Sequence, residues 1–111
     1  MKDLENVLKA CSDGNRIRIL KLLEKRKLCV CEMAFVLGIT QPSVSRHLKK
    51  LSKAGLIRTE KDSFWTNYYL APGNEYAEQI CGLLGGWLKD DKVVKKDLLK
   101  VKKADREKLC C

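Results

Sequence analysis

This 111-residue chain has no apolar run long enough to cross a bilayer. The run that comes nearest, Ile80 to Leu88, covers nine residues, and a spanning helix needs about 20. An export signal is not expected either. Met1-Lys2-Asp3-Leu4-Glu5 has no apolar segment behind its charges, so a cytoplasmic protein with mostly reduced thiols is expected. There is one histidine, His47, and no nucleophile is paired with it, which argues against a hydrolase. The six cysteines include no Cys-x-x-Cys pair, and no alternating βαβ pattern surrounds them. That disfavours a small thiol oxidoreductase. No internal repeat and no low-complexity linker interrupts the chain. The absences leave one non-enzymatic domain as the expectation.

What is abundant is positive charge, +9 in all, and it is unevenly placed. Residues 1–61 hold 14 basic and 6 acidic side chains, whereas residues 62–111 hold 9 and 8. Between 40 and 61, Arg46, Lys49, Lys50, Lys53, Arg58 and Lys61 face Glu60 alone. Such a cluster suits phosphates, although a merely solvated face has the same composition. The stretch from Lys89 to Lys108 interleaves acids and reads as a solvated helix.

Periodicity divides the chain into elements. Leu4, Val7, Leu8 and Cys11 recur at helical spacing, and Ser12-Asp13-Gly14-Asn15 breaks the pattern. A second short helix holds Ile17, Leu20, Leu22 and Leu23, and a third holds Val30, Met33, Ala34 and Leu37. Gly38 stands where a left-handed cap is needed. Thr40 is placed to cap a fourth helix, with Pro42 in its first turn. That helix runs to about Ala54 on the stripe Val44, Leu48 and Leu51, and Gly55 ends it. Leu56 to Lys61 and Trp65 to Leu70 then read as a β-hairpin around Asp62-Ser63-Phe64. A last apolar helical pattern, Tyr76 to Leu88, precedes charged helix with a break near Asp90-Asp91.

Two helices joined by Gly38-Ile39-Thr40 and followed by a hairpin describe a winged helix-turn-helix, mainly α with a small β-hairpin. The second helix of that motif enters the major groove. With Val44, Leu48 and Leu51 turned inward, its outer face presents Gln41, Ser43, Ser45, Arg46, Lys49 and Lys50. Gln and Ser read base edges, and Arg and Lys do so or bind phosphates. Lys61 lies near the hairpin tip, and His47 is expected in a structural or phosphate-contacting role. Residues 1–88 are expected to form the DNA-binding and dimerisation domain. Residues 89–111 form a Lys-rich helical extension ending in Cys110-Cys111. The apolar helices Leu4 to Cys11 and Tyr76 to Leu88 are the surfaces expected to pair in a homodimer.

Cys29-Val30-Cys31 opens the third helix. A thiol at a helix N-terminus feels the positive end of the dipole, which favours the thiolate that binds soft ions. Residues two apart on a helix point about 200° apart, so both sulfurs meet one ion only if the first turn unwinds. Chelation would then pull on the support of the DNA-reading helix. Cys110 and Cys111 could reach this site from a tail, or be solvated without function. Cys11 and Cys81 continue apolar stripes and read as structural.

At this point "LKACSDGNRIRILKLL", "LCVCEMAFVLGITQPSVSRHLKKLSKAGLI" and "WTNYYL" resemble the ArsR/SmtB metalloregulatory repressors, over about residues 4 to 88. Leu28 to Ile57 resembles the arsenic-sensing branch. The resemblance implies a homodimeric repressor that needs no cofactor to bind an inverted-repeat operator, and that As(III) or Sb(III) releases. The family's Cys-Val-Cys maps onto Cys29 and Cys31, and its Ser-Arg-His-Leu onto Ser45, Arg46, His47 and Leu48. Arsenic sensors of this type usually carry a third cysteine where this chain has Ala34. Trivalent arsenic prefers three sulfurs, so Cys110 or Cys111, from either subunit, or a small thiol would complete the set. Some relatives use cysteines near the C-terminus, which also allows a site built mainly from Cys110 and Cys111. With one histidine, the zinc-type site on the last helix cannot form. A cadmium- or lead-responsive repressor, or one sensing oxidants through these thiols, shares the same features. A DNA-free interaction module is a further reading.

Overall fold

The computed structural model describes residues 1–109, so Cys110 and Cys111 lie outside the described residues. Seven helices and one hairpin follow in order: α1 (Lys2–Ala10), α2 (Gly14–Leu23), α3 (Val30–Leu37), α4 (Gln41–Lys53), β1 (Ile57–Asp62), β2 (Trp65–Leu70), α5 (Glu75–Gly86), α6 (Lys92–Val101) and α7 (Arg106–Leu109).

The helix boundaries follow local capping chemistry. The Asp13 carboxylate accepts from the Arg16 N–H at 3.1 Å, so α2 begins at Gly14 and the break after α1 is shorter than its composition suggests. Gly38 ends α3 with φ 70°, a conformation that costs glycine nothing. Thr40 accepts from the Ser43 N–H at 3.3 Å and opens α4, with Pro42 in the first turn. Asn74 caps α5 through the Ala77 N–H at 2.8 Å.

The core joins Ile19, Leu20 and Leu22 of α2 to Met33, Val36 and Leu37 of α3 and to Val44, Leu48 and Leu51 of α4. Each such aliphatic side chain stabilises the fold by roughly 1.5–3 kcal/mol on burial. The hairpin is antiparallel, with Ile57 opposite Leu70 and Asp62 opposite Trp65. Its two-residue turn places Ser63 at φ 59°, and Phe64 stands at the tip, 93% exposed.

The C-terminal extension departs from the expected solvated helix. After α5, Leu88 turns the chain at φ 63° and Asp91 caps α6 through the N–H groups of Val93 and Val94. Val94, Asp97 and Val101 are buried, and α6 packs against α2 and α3. Arg18 holds Asp97 in a two-pronged ion pair at 2.8 and 2.9 Å. The interleaved acid that suggested solvation is thus the partner of a distant arginine. Lys21, also buried, donates to the carbonyls of Leu84 and Trp87 at 2.7 and 3.0 Å and so satisfies the end of α5.

Candidate nucleic-acid interface and thiol site

On α4 the buried stripe Val44, Leu48 and Leu51 turns the rest of the helix outward. Gln41, Ser45, Arg46, Lys49 and Lys50 are exposed, while Ser43 and His47 are half-buried. The Ser43 hydroxyl accepts from Thr40 at 3.0 Å and from Arg46 at 3.1 Å, which arranges the first turn. Lys61 is exposed on β1, which packs on α4. One helix therefore gathers seven of the eight candidate DNA residues, and the wing carries the eighth.

His47 is not isolated. Arg16 Nη1 lies 3.4 Å from its Nδ1. Burial pushes the imidazole below its ordinary value against the opposing pull of Asp13, and Arg16, Lys50 and Arg46 add to the depression. The ring is accordingly neutral near pH 7.

Cys29 caps α3 rather than lying within it. Its backbone is extended, with φ −93° and ψ 169°, and its side chain is buried at 3% exposure. The Glu32 carboxylate accepts from the Cys29 N–H at 3.0 Å, and Arg26 pairs with Glu32 at 2.8 Å. Two expectations change here. Cys29 already stands outside the helix, so the 200° argument does not apply to this pair. Nor is the thiol acidified. Burial pushes it up, and the Glu32 carboxylate adds to the rise, although the Glu32 backbone N–H acts in the opposite sense. Desolvation and a neighbouring anion outweigh the helix terminus. Cys31, half-buried in the first turn, stands in disulfide form, whereas Cys11, Cys29 and Cys81 are thiols. Burial raises Cys11 and Cys81 as well, in keeping with structural roles. Among the described residues, no three His, Cys, Asp or Glu side chains converge to hold an ion. The candidate donors Cys110 and Cys111 lie outside those residues.

Three connections escaped sequence reasoning. Leu28, one residue before Cys29, exchanges backbone bonds with Tyr68 of β2 at 3.2 and 2.8 Å. A single bridging residue has no periodicity to announce it. Arg106 donates to Asp62 at 2.6 Å and to Asn67 at 3.2 Å and stacks over Trp65 at 4.3 Å. Its hydrogen bond holds the Asp62 carboxyl below the ordinary range. The extension is thereby fastened to the wing. The third connection is that of Arg16 to His47. Charge alone marked Arg16 and Arg106 as no different from their neighbours.

Comparison with known proteins places this arrangement. The family described as "Bacterial regulatory protein, arsR family" matches residues 13–59. An uncharacterised HTH-type transcriptional regulator of Methanocaldococcus jannaschii is 42% identical over 65 residues, 58% of this chain and 73% of that protein. The arsenic resistance transcriptional regulator ArsR1 of Pseudomonas putida is 33% identical over 93 residues, 77% of this chain and 71% of that protein. Among solved structures, a homodimeric winged helix-turn-helix DNA-binding domain from Mycobacterium bovis, a possible ArsR-family regulator, superposes with a TM-score of 0.66. It is 25% identical, over 77% of each chain.

Proposed function

The chain belongs to the ArsR family, a family of DNA-binding transcriptional regulators rather than enzymes, and we propose that it is a cytoplasmic homodimeric repressor that arsenite or antimonite lifts from an inverted-repeat operator. The observation that carries this reading is the position of Cys29. It caps the helix beneath α4, and its neighbour Leu28 is bonded into the wing. A ligand that draws on Cys29 therefore acts on both proposed DNA-contacting elements, α4 and the wing, through one peptide segment.

The donor chemistry suits a soft ion, since thiolates select such ions. Cys29 and Cys31 would hold it, in the reduced protein, with Cys110 or Cys111 as further sulfurs. The protein's own part is to convert a pull on the start of α3 into a shift of α4. Met33, Val36 and Leu37 pack in the same core as Val44, Leu48 and Leu51, and close-packed interiors transmit small displacements. The coupling is reciprocal: whatever factor the inducer removes from operator affinity, operator removes from inducer affinity, typically about 5–150-fold.

The test is a fluorescence-anisotropy titration of operator DNA with and without arsenite, in reducing buffer. Wild type should lose affinity with arsenite. The variant C29S/C31S should bind operator as before and ignore arsenite. No effect of arsenite on wild type sinks the inducer assignment. A double variant that still responds moves the site to Cys110 and Cys111. Cadmium in place of arsenite tests the second reading, because sulfur counts of three and four are separable by X-ray absorption.

A further inference from the structure

Arg16 is almost wholly buried, 9% exposed, at the first turn of α2. Its Nε donates to the Ala10 carbonyl at 2.8 Å and its Nη2 to the Lys9 carbonyl at 3.2 Å. These carbonyls belong to the last turn of α1, where helical partners run out. The third nitrogen, Nη1, lies 3.4 Å from Nδ1 of His47. A guanidinium can only donate. Nδ1 is therefore the acceptor, and in a neutral imidazole the proton resides on Nε2.

We propose that Arg16 is a positioning residue that fixes His47 as its Nε2–H tautomer, so that α4 presents one oriented hydrogen-bond donor to an acceptor atom of DNA. The inference rests on the DNA-binding reading of α4 and adds the atom and the direction of the bond. His47 is half-exposed and shares a helix face with Ser43, Arg46 and Lys50, at helical spacing. Nε2 is the ring nitrogen farther from the backbone. A donor there suits a phosphate oxygen or a purine N7, both acceptors. The charged groups around the ring are Asp13 and Arg16 from the start of α2 and Arg46 and Lys50 from its own helix. Burial and three cations against one carboxylate keep the ring neutral, which is the state in which a tautomer has meaning.

Because His47 is the only histidine, its ring nitrogens can be read without ambiguity in long-range nitrogen–proton correlation spectra of the free protein. Above its titration the wild type should show the Nε2–H pattern. R16K keeps a donor-only partner and should keep the pattern. R16Q can donate or accept, and should give mixed tautomers. A predominant Nδ1–H form in wild type, or an unchanged ratio in folded R16Q, overturns the proposal. Should R16Q not fold, the wild-type and R16K spectra decide alone.

Operator affinity supplies the second readout. The amide donor of H47Q falls near Nε2 and that of H47N near Nδ1, so H47Q should bind within about twofold of wild type while H47N loses roughly tenfold. Equal losses, or none, remove the donor role. Loss of the H47Q advantage on a methylphosphonate-substituted duplex assigns a phosphate partner, and loss on a 7-deazapurine duplex a base. If wild type fails to bind its promoter at all, the DNA reading of α4 fails and takes the donor role with it. The spectra of the free protein still decide the tautomer.

Discussion

At the scale of single residues, the protonation of Cys29 decides how the proposed inducer site should answer to pH. Burial and the Glu32 carboxylate hold this thiol above its ordinary value, so near neutral pH it carries its proton. Arsenous acid brings three hydroxyls, and three thiols displace them as three waters with no net proton released. A divalent cation brings none, and each thiol that ligates it must give up its proton. Cadmium affinity should therefore climb by up to about tenfold per pH unit for each thiol deprotonated, between pH 6 and 8, while arsenite affinity stays flat. Calorimetry in buffers of different protonation enthalpy reads the proton count directly. Proton release with arsenite, or a flat cadmium profile, contradicts this protonation state.

At the scale of elements, the extension is the part whose role composition obscured. Asp97 is 4% exposed and its carboxylate is held by Arg18. Burying a pair of charges is at best near neutral, but removing one partner strands the other. R18A should cost roughly 2–3 kcal/mol, because Arg18 itself keeps some solvent contact. Urea unfolding measures this, and a change below about 0.5 kcal/mol would mean that α6 is not docked through this pair. The helices α1 to α4 were legible beforehand for a different reason. The start of α2, the stop of α3 and the start of α4 are set within three or four residues, by Asp13, Gly38 and Thr40. The wing was equally legible from its change of period, but not its fastening by Arg106, which comes from 39 and 44 residues away.

At the scale of the whole molecule, the remaining question is what covers the apolar side chains of α1 and α5. Leu8, Leu83 and Trp87 are each about half exposed, and these helices pack on one another. The Mycobacterium bovis neighbour is a homodimer, and the same surface is proposed for pairing here. L83E, which places a charge in that surface, should shift the protein to monomer in sedimentation equilibrium. It should also weaken operator binding by well over tenfold, because two half-sites are no longer held together. A dimeric L83E protein with full affinity would relocate the interface.

Sequence alone determined what depends on near neighbours. This includes the stop of α3 at Gly38 and the start of α4 at Thr40, the inward stripe Val44, Leu48 and Leu51, the outward cations of α4, and the Cys29-Val30-Cys31 pair at the head of α3. Each is decided by propensity, capping or period across one or two turns. The tertiary structure decided what depends on desolvation and on chain return. It pushed the Cys29 thiol above its ordinary value, bonded Leu28 into the wing, buried Asp97 against Arg18, and aimed Arg16 at His47. A sequence position carries a side chain's chemistry, but the dielectric around it and the partner across from it exist only once distant segments pack. That is why the candidate DNA-binding face could be read directly, while the connections that would make it respond could not.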